Sequence, residues 1–249
     1  MKQKNEHCFY ENKKDWSFDE FDIKTENFTN WDMYKILNEI TNKNSIVLDL
    51  GTGGGEKVLK EFPKHLKKII ATDFSEEMIK TATKNLEISK RKNIEFYVMD
   101  NLNIEMPKNY FDVVVARNTI TDPKQIYDVL KEDGYLLLHG VDKYDCHALK
   151  IVFGKGQGMK DITPISIRDY EAILDAGFRD VELIPIHERE YFKDKEMLYN
   201  FLLKVPIIDD FSDKNQKLEE DKLDEFILKN KTSKGIVLFR RYYGIIARK

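Results

Sequence analysis

Short apolar runs, rich in β-branched and aromatic residues and bounded by turn-forming residues, recur between residues 45 and 140. They lie at Ser45 to Leu50, Lys68 to Thr72, Ile94 to Met99, Asp112 to Ala116 and Tyr135 to Gly140. Strands that are apolar on both faces are typical of parallel sheets covered by helices, whereas one-sided antiparallel strands alternate between apolar and polar residues. The runs therefore predict five buried, parallel strands.

The segments between these runs predict the covering helices. Ser75 is placed to cap one of them, and apolar residues follow at helical spacing, at Met78, Ile79, Ala82 and Leu86. Further along, Ser166 and Asp169 predict a capping box at the start of a helix that ends near Gly177. Strands and helices in this alternation predict a doubly wound, Rossmann-like α/β sheet with right-handed crossovers.

The pattern changes after Gly177. Val181 to Tyr191 and Ile236 to Ala247 each predict a further strand, and two apolar stripes at helical spacing lie between them. We expect these stripes to form a helical insertion before the last strand, at about residues 192–232.

Composition narrows the classes of protein that fit. The 249 residues include 41 basic and 44 acidic ones, for a formal net charge of -3, whereas a protein that binds nucleic acid through bulk electrostatics is normally basic. The chain opens on a hydrophilic stretch and nowhere has the ~18 consecutive apolar residues of a membrane helix. We therefore expect a cytoplasmic protein with no membrane partner. Its two cysteines, Cys8 and Cys146, exclude a disulfide framework.

The segment from Val47 to Glu56 carries the strongest chemical signal. In it a strand runs directly into the turn GTGGG (residues 51–55) and then into a helix. Glycines allow positive φ and let the backbone approach a ligand closely, and a helix N-terminus offers unpaired amide donors. Asp49 places a carboxylate at the end of the strand, which suits a ligand that bears an ammonium group.

Two common phosphate-binding motifs are absent from this turn. A dinucleotide fingerprint counted from Gly51 meets Gly53 and then Glu56 where the third glycine is needed. The Glu56 carboxylate would also repel a pyrophosphate. A Walker loop fails because no Gly-Lys-Ser/Thr sequence follows. A nicotinamide dehydrogenase is therefore disfavoured.

Polar residues also end the next two predicted strands. Asp73 follows the second strand, where it can accept both hydroxyls of a ribose, and its neighbour Phe74 can contact a base. Asp100 and Asn101 follow the third strand and suit the edge of an adenine. Ligands of doubly wound sheets bind at the carboxyl ends of the strands, so these residues together predict a nucleoside site.

This ordered series resembles the motifs of class I S-adenosylmethionine-dependent methyltransferases, and most of all their type-11 group. The resemblance covers residues 45 to about 140 and includes the segments FDVVVAR (111–117) and LKEDGYLL (130–137) as strands four and five. It implies methyl transfer as the activity and S-adenosyl-L-methionine as the cofactor. It also implies a seven-stranded, mostly parallel sheet whose last strand is antiparallel.

The resemblance implies roles for single residues as well. Gly51, Thr52 and Gly53 would pass beneath the methionine part of the cofactor, Asp49 would hold its ammonium group, and Asp73 would take the ribose. The contacts to the adenine and the closing side of the pocket would come from Phe74, Met78, Asp100, Asn101 and Arg117.

Methyl transfer from a sulfonium needs alignment and exclusion of water rather than a nucleophile on the enzyme. A base is needed only if the acceptor must lose a proton, and His139, at the end of the fifth strand, is the candidate for that role. Asn118, Thr119 and His139 also project from strand ends towards the expected acceptor, with Trp31 as a fourth candidate for substrate binding.

A metal site is not expected. Asp142, Asp145 and His147 lie close together after strand five, but no second histidine or matching carboxylate pair supports them as ligands.

Residues 1–44 precede the first predicted strand of the methyltransferase domain (45–249) and are rich in aromatic side chains, namely Phe9, Tyr10, Trp16, Phe18, Phe21, Phe28 and Trp31. Core packing would account for most of them. A lid that excludes water from the cofactor needs a similar surface, and we expect this segment to form a helical lid.

A small-molecule acceptor is the first hypothesis for the substrate. Strand four is followed by the sequence NTI (118–120), which lacks the Pro-Pro-aromatic continuation found in enzymes that methylate exocyclic base amines. The alternatives are an RNA or protein methyltransferase that docks through the basic segment after residue 228, and an S-adenosylmethionine-binding module without catalysis.

Overall fold

The computed structural model describes residues 20–212, 214 and 216–249. In chain order its elements are β1 (Lys24–Asn27), α1 (Met33–Ile40), β2 (Ile46–Leu50), α2 (Glu56–Glu61), β3 (Lys68–Asp73), α3 (Glu76–Ser89), β4 (Ile94–Val98), β5 (Phe111–Arg117), α4 (Pro123–Val129), β6 (Leu130–Val141), α5 (His147–Phe153), α6 (Ile165–Asp175), β7 (Arg179–Phe192), α7 (Lys195–Lys204), α8 (Gln216–Asn230), β8 (Lys231–Thr232) and β9 (Gly235–Arg248). Cys8 and the aromatic residues before position 20 lie outside the described residues, so the lid expected there stays a prediction.

The described strands form one nine-stranded sheet in the order β1-β7-β9-β6-β5-β2-β3-β4, with β8 paired to β9. Strands β2 to β6 are parallel, and β9 runs antiparallel between β6 and β7. These strands are the seven expected from the sequence, and the predicted Rossmann-like α/β sheet with an antiparallel last strand is confirmed.

Two short strands, β1 and β8, were not expected. β1 pairs with the outer edge of β7, with Lys24 opposite Tyr191. The described part of the N-terminal segment is therefore a strand followed by a helix. The physical reason is that an uncovered edge strand leaves a row of backbone groups unpaired, which β1 satisfies.

Alternate residues of the parallel strands face two separate apolar cores. Leu48 and Leu50 pack with helices α4 and α6 on one face of the sheet, which we call the α6 face. Val47, Val113 and Leu137 pack with helices α1 and α2 on the opposite face, which we call the α1 face. Successive residues of a strand thus alternate between the α6 face and the α1 face.

The expected helical insertion is present as α7 and α8, between β7 and the last two strands. Its apolar residues pack against α5 and the ends of β7 and β9 in a third core, which includes Phe153, Phe192, Phe201, Phe226 and Ile236. No helix among the described residues combines the length and apolar character that crossing a membrane requires.

The two predicted helix caps have different outcomes. Ser75 caps α3, because its hydroxyl accepts a hydrogen bond from the Met78 backbone N–H at 3.3 Å. The capping box predicted at Ser166 and Asp169 is wrong, since α6 begins after Pro164 without a side-chain cap. Ser166 donates to Asp142, and Asp169 accepts from the hydroxyl of Tyr243. Both side chains satisfy polar partners on neighbouring elements instead of the helix's own backbone.

Candidate functional site

The glycine turn after β2 folds over the carboxyl edge of the sheet. Gly51 and Gly53 have φ values of +74° and +59°, which favour glycine. The backbone N–H groups of Gly51 and Thr52 both donate to the carbonyl of Thr72 at 2.8 Å. A Cβ added to Gly51 would lie 2.7 Å from the Cβ of Thr119. The turn is therefore fixed between the ends of β3 and β5, and its backbone faces the edge where ligands of this architecture bind.

Asp73, the last residue of β3, holds the same turn through its carboxylate. One oxygen accepts a hydrogen bond from the Gly53 N–H at 2.9 Å, and the other accepts from the Ser75 N–H at 3.0 Å. Burial raises the pKa of Asp73, and these two backbone hydrogen bonds oppose the rise. Each carboxylate oxygen has a further lone pair, so Asp73 can accept ligand hydroxyls while it positions the turn.

Asp49 is a buried carboxylate directly behind the turn, with only 7% of its surface exposed. It has no ion-pair partner within the described part of the chain. Burial raises the pKa of Asp49 to about 7; a hydrogen bond from the Thr52 side chain and the charge of Arg117 oppose the rise, and the charge of Asp73 adds to it. A cationic group bound next to Asp49 would favour the ionised carboxylate.

Asn101 and Thr119 link the ends of β4 and β5. The Asn101 side-chain amide donates to the Thr119 hydroxyl at 2.8 Å, and its Oδ1 is buried with no hydrogen-bond partner. Such an atom is satisfied if a ligand donates to it. Asp100 is exposed and accepts a hydrogen bond from the backbone two residues on. Phe74 is half-buried and Met78 fully buried at the start of α3.

A second group of candidates meets on the α1 face. Arg117 pairs with His139 across β5 and β6, and His139 pairs with Gly244 across β6 and β9. Gly244 makes room for the indole of Trp31, because a Cβ there would lie 2.5 Å from the ring. The Trp31 Nε1–H donates to His139 Nδ1 at 3.2 Å. The Asn118 N–H donates to the His139 carbonyl at 2.8 Å, so these strand-end residues form one cluster.

The environment of His139 fixes its protonation. Burial, together with the charges of Arg117 and Arg240, lowers its pKa to about 3, so the imidazole is neutral. Because Nδ1 accepts from Trp31, the ring proton lies on Nε2. No hydrogen bond to Nε2 is present among the described residues. His139 therefore offers an N–H donor to a ligand, and its basic nitrogen is already occupied.

Tyr34 belongs to the same cluster and was missed by the sequence analysis. Burial raises the pKa of its hydroxyl, which is also influenced by the charges of Arg117 and Asp49. The sequence did hold a signal for it: Asp32 caps α1 by accepting from the backbone N–H groups of Tyr34 and Lys35 at 3.0 Å. Recognising this cap would have placed α1, and with it Tyr34, against the sheet.

The acidic residues after β6 have protein partners. The Asp145 carboxylate accepts from Arg240 Nε at 2.9 Å and Nη2 at 3.1 Å, and the Asp142 carboxylate accepts from Ser166. No group of three metal-ligating side chains occurs within residues 20–249, leaving aside positions 213 and 215. The Cys146 thiol is buried, and this burial raises its pKa.

Comparison with known proteins identifies related sequences. A protein-family model described as a methyltransferase domain matches residues 41–166, just over half of the chain. The ribosomal protein L11 methyltransferase of Listeria innocua is 30% identical over 100 residues, which is 38% of this chain and 32% of that protein. The demethylmenaquinone methyltransferase of Lactococcus lactis is 35% identical over 107 residues, 40% of this chain and 42% of that protein. The matches thus span less than half of each relative.

Solved structures share the fold over most of the chain. A methyltransferase candidate from Bacillus halodurans superposes with a TM-score of 0.62 at 20% identity, covering 88% of this chain and 98% of its own. A SAM-dependent methyltransferase from Aquifex aeolicus gives a TM-score of 0.52 at 17% identity, covering 88% and 89%. At these identities the likeness establishes the architecture.

Proposed function

This chain belongs to the methyltransferase-domain family, whose cofactor is S-adenosylmethionine, and from that premise we propose that it transfers a methyl group to a small-molecule acceptor. The class I family and cofactor expected from the sequence are thereby confirmed. The site residues and the acceptor are the subject of the proposal.

One observation carries the proposal, namely a buried carboxylate without an ion pair and a buried amide oxygen without a hydrogen-bond partner around one glycine turn. Asp49 is buried without an ion pair and Asn101 Oδ1 is buried without a partner, on either side of a turn where Gly51 has no room for a Cβ. S-adenosylmethionine supplies an ammonium group, a ribose, an adenine and a methyl group activated by sulfonium. Asp49 would hold the ammonium group, Asp73 the ribose and Asn101 the adenine.

The residues of the α1 face would then align the acceptor and exclude water. Trp31 covers Gly244 and keeps His139 in the tautomer whose Nε2–H is available to an acceptor oxygen or nitrogen. Arg117 and Asn118 extend from the end of β5 beside it. Since His139 is neutral and its basic nitrogen is occupied, the site favours an acceptor that needs no proton removed by His139.

The cofactor assignment is tested by calorimetric titration with S-adenosylhomocysteine. Two charge-assisted hydrogen bonds from a ribose, at roughly 1.5 kcal/mol or more each, imply at least a tenfold loss of affinity in Asp73→Ala. Asp112→Ala is the matched control, because Asp112 also accepts a backbone N–H, from Ile46 at 2.8 Å, but at the amino end of β5. Equal affinity in the wild type and Asp73→Ala would refute the ribose assignment.

The acceptor class is tested with S-adenosylmethionine carrying a labelled methyl group. The protein is incubated separately with a dialysable cell extract, with total RNA and with total protein. The proposal expects label in the dialysable fraction, and label confined to RNA or protein would contradict it.

A macromolecular acceptor is the second candidate, and one surface favours it. A recess of about 440 Å³ is lined by Lys24, Lys193, Lys231 and Lys234, and also by Asp22. Lys234 is paired with Glu26, whereas the other three have no acidic partner within the described residues. This recess includes the start of the basic segment after residue 228, and acidic polymers would be attracted to it.

A further inference from the structure

A cleft of about 410 Å³ lies at the carboxyl edge of the sheet, beside the α6 face. β9 contributes residues 241–243 to its lining, and β7 contributes Leu183 and His187. Tyr242 also borders the cofactor side, since its ring centre lies 5.2 Å from that of His139. A volume of this size is within the range of roughly 300 to 1000 Å³ that is usual for small-molecule sites.

Arg241 supplies the available positive charge of this cleft. Its guanidinium Nη1 donates to His187 Nε2 at 2.6 Å, and it has no carboxylate partner in the part of the chain that the structure describes. A guanidinium stays protonated, so His187 accepts this bond as a neutral ring. Burial and the charge of Arg241 lower the pKa of His187 accordingly. The histidine therefore orients the guanidinium without adding a second charge.

The acidic groups at the cleft are paired to different degrees. Asp142 accepts from the Ser166 hydroxyl through one oxygen, whereas its other oxygen is buried with no hydrogen-bond partner. Asp169 does not line the cleft but contacts its lining residue Tyr243. Its carboxylate accepts a hydrogen bond from the Tyr243 hydroxyl and lies 3.5 Å from Arg168 Nε. These carboxylates do not pair with Arg241, but their charge opposes the binding of a dianion.

We propose that this cleft binds a small molecule with one carboxylate group on an apolar or aromatic body. The planar guanidinium of Arg241 presents parallel N–H donors, which can form two hydrogen bonds to the oxygens of one carboxylate. A single cation near Asp142 favours a single negative charge on the ligand. Leu183, Pro185 and the Tyr144 ring supply the apolar surface for the ligand's body. The cleft lies at the same carboxyl edge as the glycine turn but is lined by different residues, and this proposal does not depend on methyl transfer.

The experiment is a calorimetric titration of the full chain, without cofactor, with benzoate, benzamidine and inorganic phosphate. We expect benzoate to bind best, and Arg241→Gln to weaken it at least tenfold through the loss of a charge-assisted pair. Arg241→Lys keeps the charge without the fork and should be intermediate. Arg248→Gln is the matched control, because Arg248 lies on the same strand but pairs with Asp133 outside the cleft. The control should bind benzoate as the wild type does.

Four outcomes would overturn the proposal. The first is no benzoate binding by the wild type at millimolar concentration, and the second is equal benzoate affinity in Arg241→Gln with an unchanged melting temperature. The third is a preference for benzamidine, which would assign the cleft to Asp142 and a cationic ligand. A preference for phosphate over benzoate would likewise contradict the single-charge argument.

Discussion

The indole N–H of Trp31 donates a hydrogen bond to Nδ1 of His139, which is 108 residues away in the sequence, at 3.2 Å. The contact joins the N-terminal segment to the end of β6 at the point where an acceptor is expected. It fixes one tautomer of a histidine whose pKa, lowered by burial to about 3, already keeps it neutral. The N-terminal segment thus keeps the ring proton of His139 on Nε2, where it can be donated to a ligand.

Trp31→Phe should release this tautomer while keeping an aromatic ring over Gly244. His139 Nδ1 then becomes a buried acceptor without a donor, which costs about 1 to 3 kcal/mol of unfolding free energy. Nitrogen-15 NMR of the imidazole should show protonation on Nε2 alone in the wild type and a mixture of tautomers in the variant. Tyr34→Phe, which keeps the hydrogen bond between Trp31 and His139, is the control and should leave the His139 signals unchanged. A single Nε2–H tautomer in Trp31→Phe would contradict the assignment.

The parallel strands and the convergence of Asp49, Asp73 and Asn101 at one edge of the sheet could be predicted from the sequence because local patterns determine both. Strands such as Ile46–Leu50 are buried on both faces, so their apolar runs are continuous. Asp49, Asp73 and Asn101 converge because the carboxyl ends of parallel strands meet at one edge. Each of these inferences needs only the order of the elements along the chain.

Trp31 and His139 were candidates from the sequence, but the contact between them could not be predicted because it depends on tertiary structure. Trp31 reaches His139 only because residue 244, on a strand at the far end of the chain, is glycine. The sequence around Ser166 resembled a helix cap, yet its hydroxyl donates a hydrogen bond to Asp142. No local sequence pattern predicts that contact. The pairing of Arg241 with His187 likewise depends on the register of β7 against β9.

Cofactor affinity should depend on pH through Asp49. Its pKa of about 7 in the folded protein means that the carboxyl is largely protonated in mildly acidic solution. An ammonium group binds the ionised form, so affinity for S-adenosylhomocysteine should rise with pH up to about 7, by at most tenfold per pH unit, with release of a proton. Calorimetry in two buffers of different ionisation enthalpy measures that proton. Asp49→Asn should bind more weakly and without the pH slope, and an unchanged slope would exclude Asp49 as its source.

The raised pKa of Asp49 also predicts how this residue affects the free energy of unfolding at different pH values. Its folded pKa is raised above its ordinary value of 3.8, so the folded state binds more protons than the unfolded state between about pH 4 and 7. The contribution of Asp49 to stability is therefore greatest below about pH 4 and is lost as pH rises through 7. Urea unfolding should show that Asp49→Asn gains stability relative to the wild type between about pH 5 and 8. A difference independent of pH would contradict this.

Arg240 holds a buried ion-pair network between β9, β7 and the segment before α5. It pairs with Asp145 at 2.9 Å and with Glu190 at 2.6 Å. Removing one partner leaves a buried charge partly unpaired, so Asp145→Asn should lower the unfolding free energy by about 3 kcal/mol or more. Asp128→Asn, which breaks the exposed pair with Lys108, should change it by less than about 0.5 kcal/mol. Equal effects in urea unfolding would show that the network adds no stability.

Alanine substitutions at Gly51 and Gly154 distinguish two effects, namely backbone strain, which both positions share, and a steric clash, which occurs only at Gly51. Both have left-handed φ, +74° and +69°, so alanine costs about 1 to 2 kcal/mol at either position. A Cβ at Gly154 meets nothing within 4 Å, whereas at Gly51 it lies 2.7 Å from Thr119 and must displace the turn. Gly51→Ala should therefore lose more stability than Gly154→Ala and, unlike it, bind S-adenosylhomocysteine at least tenfold more weakly. Equal affinity in the two variants would mean that the Gly51 turn does not position the cofactor.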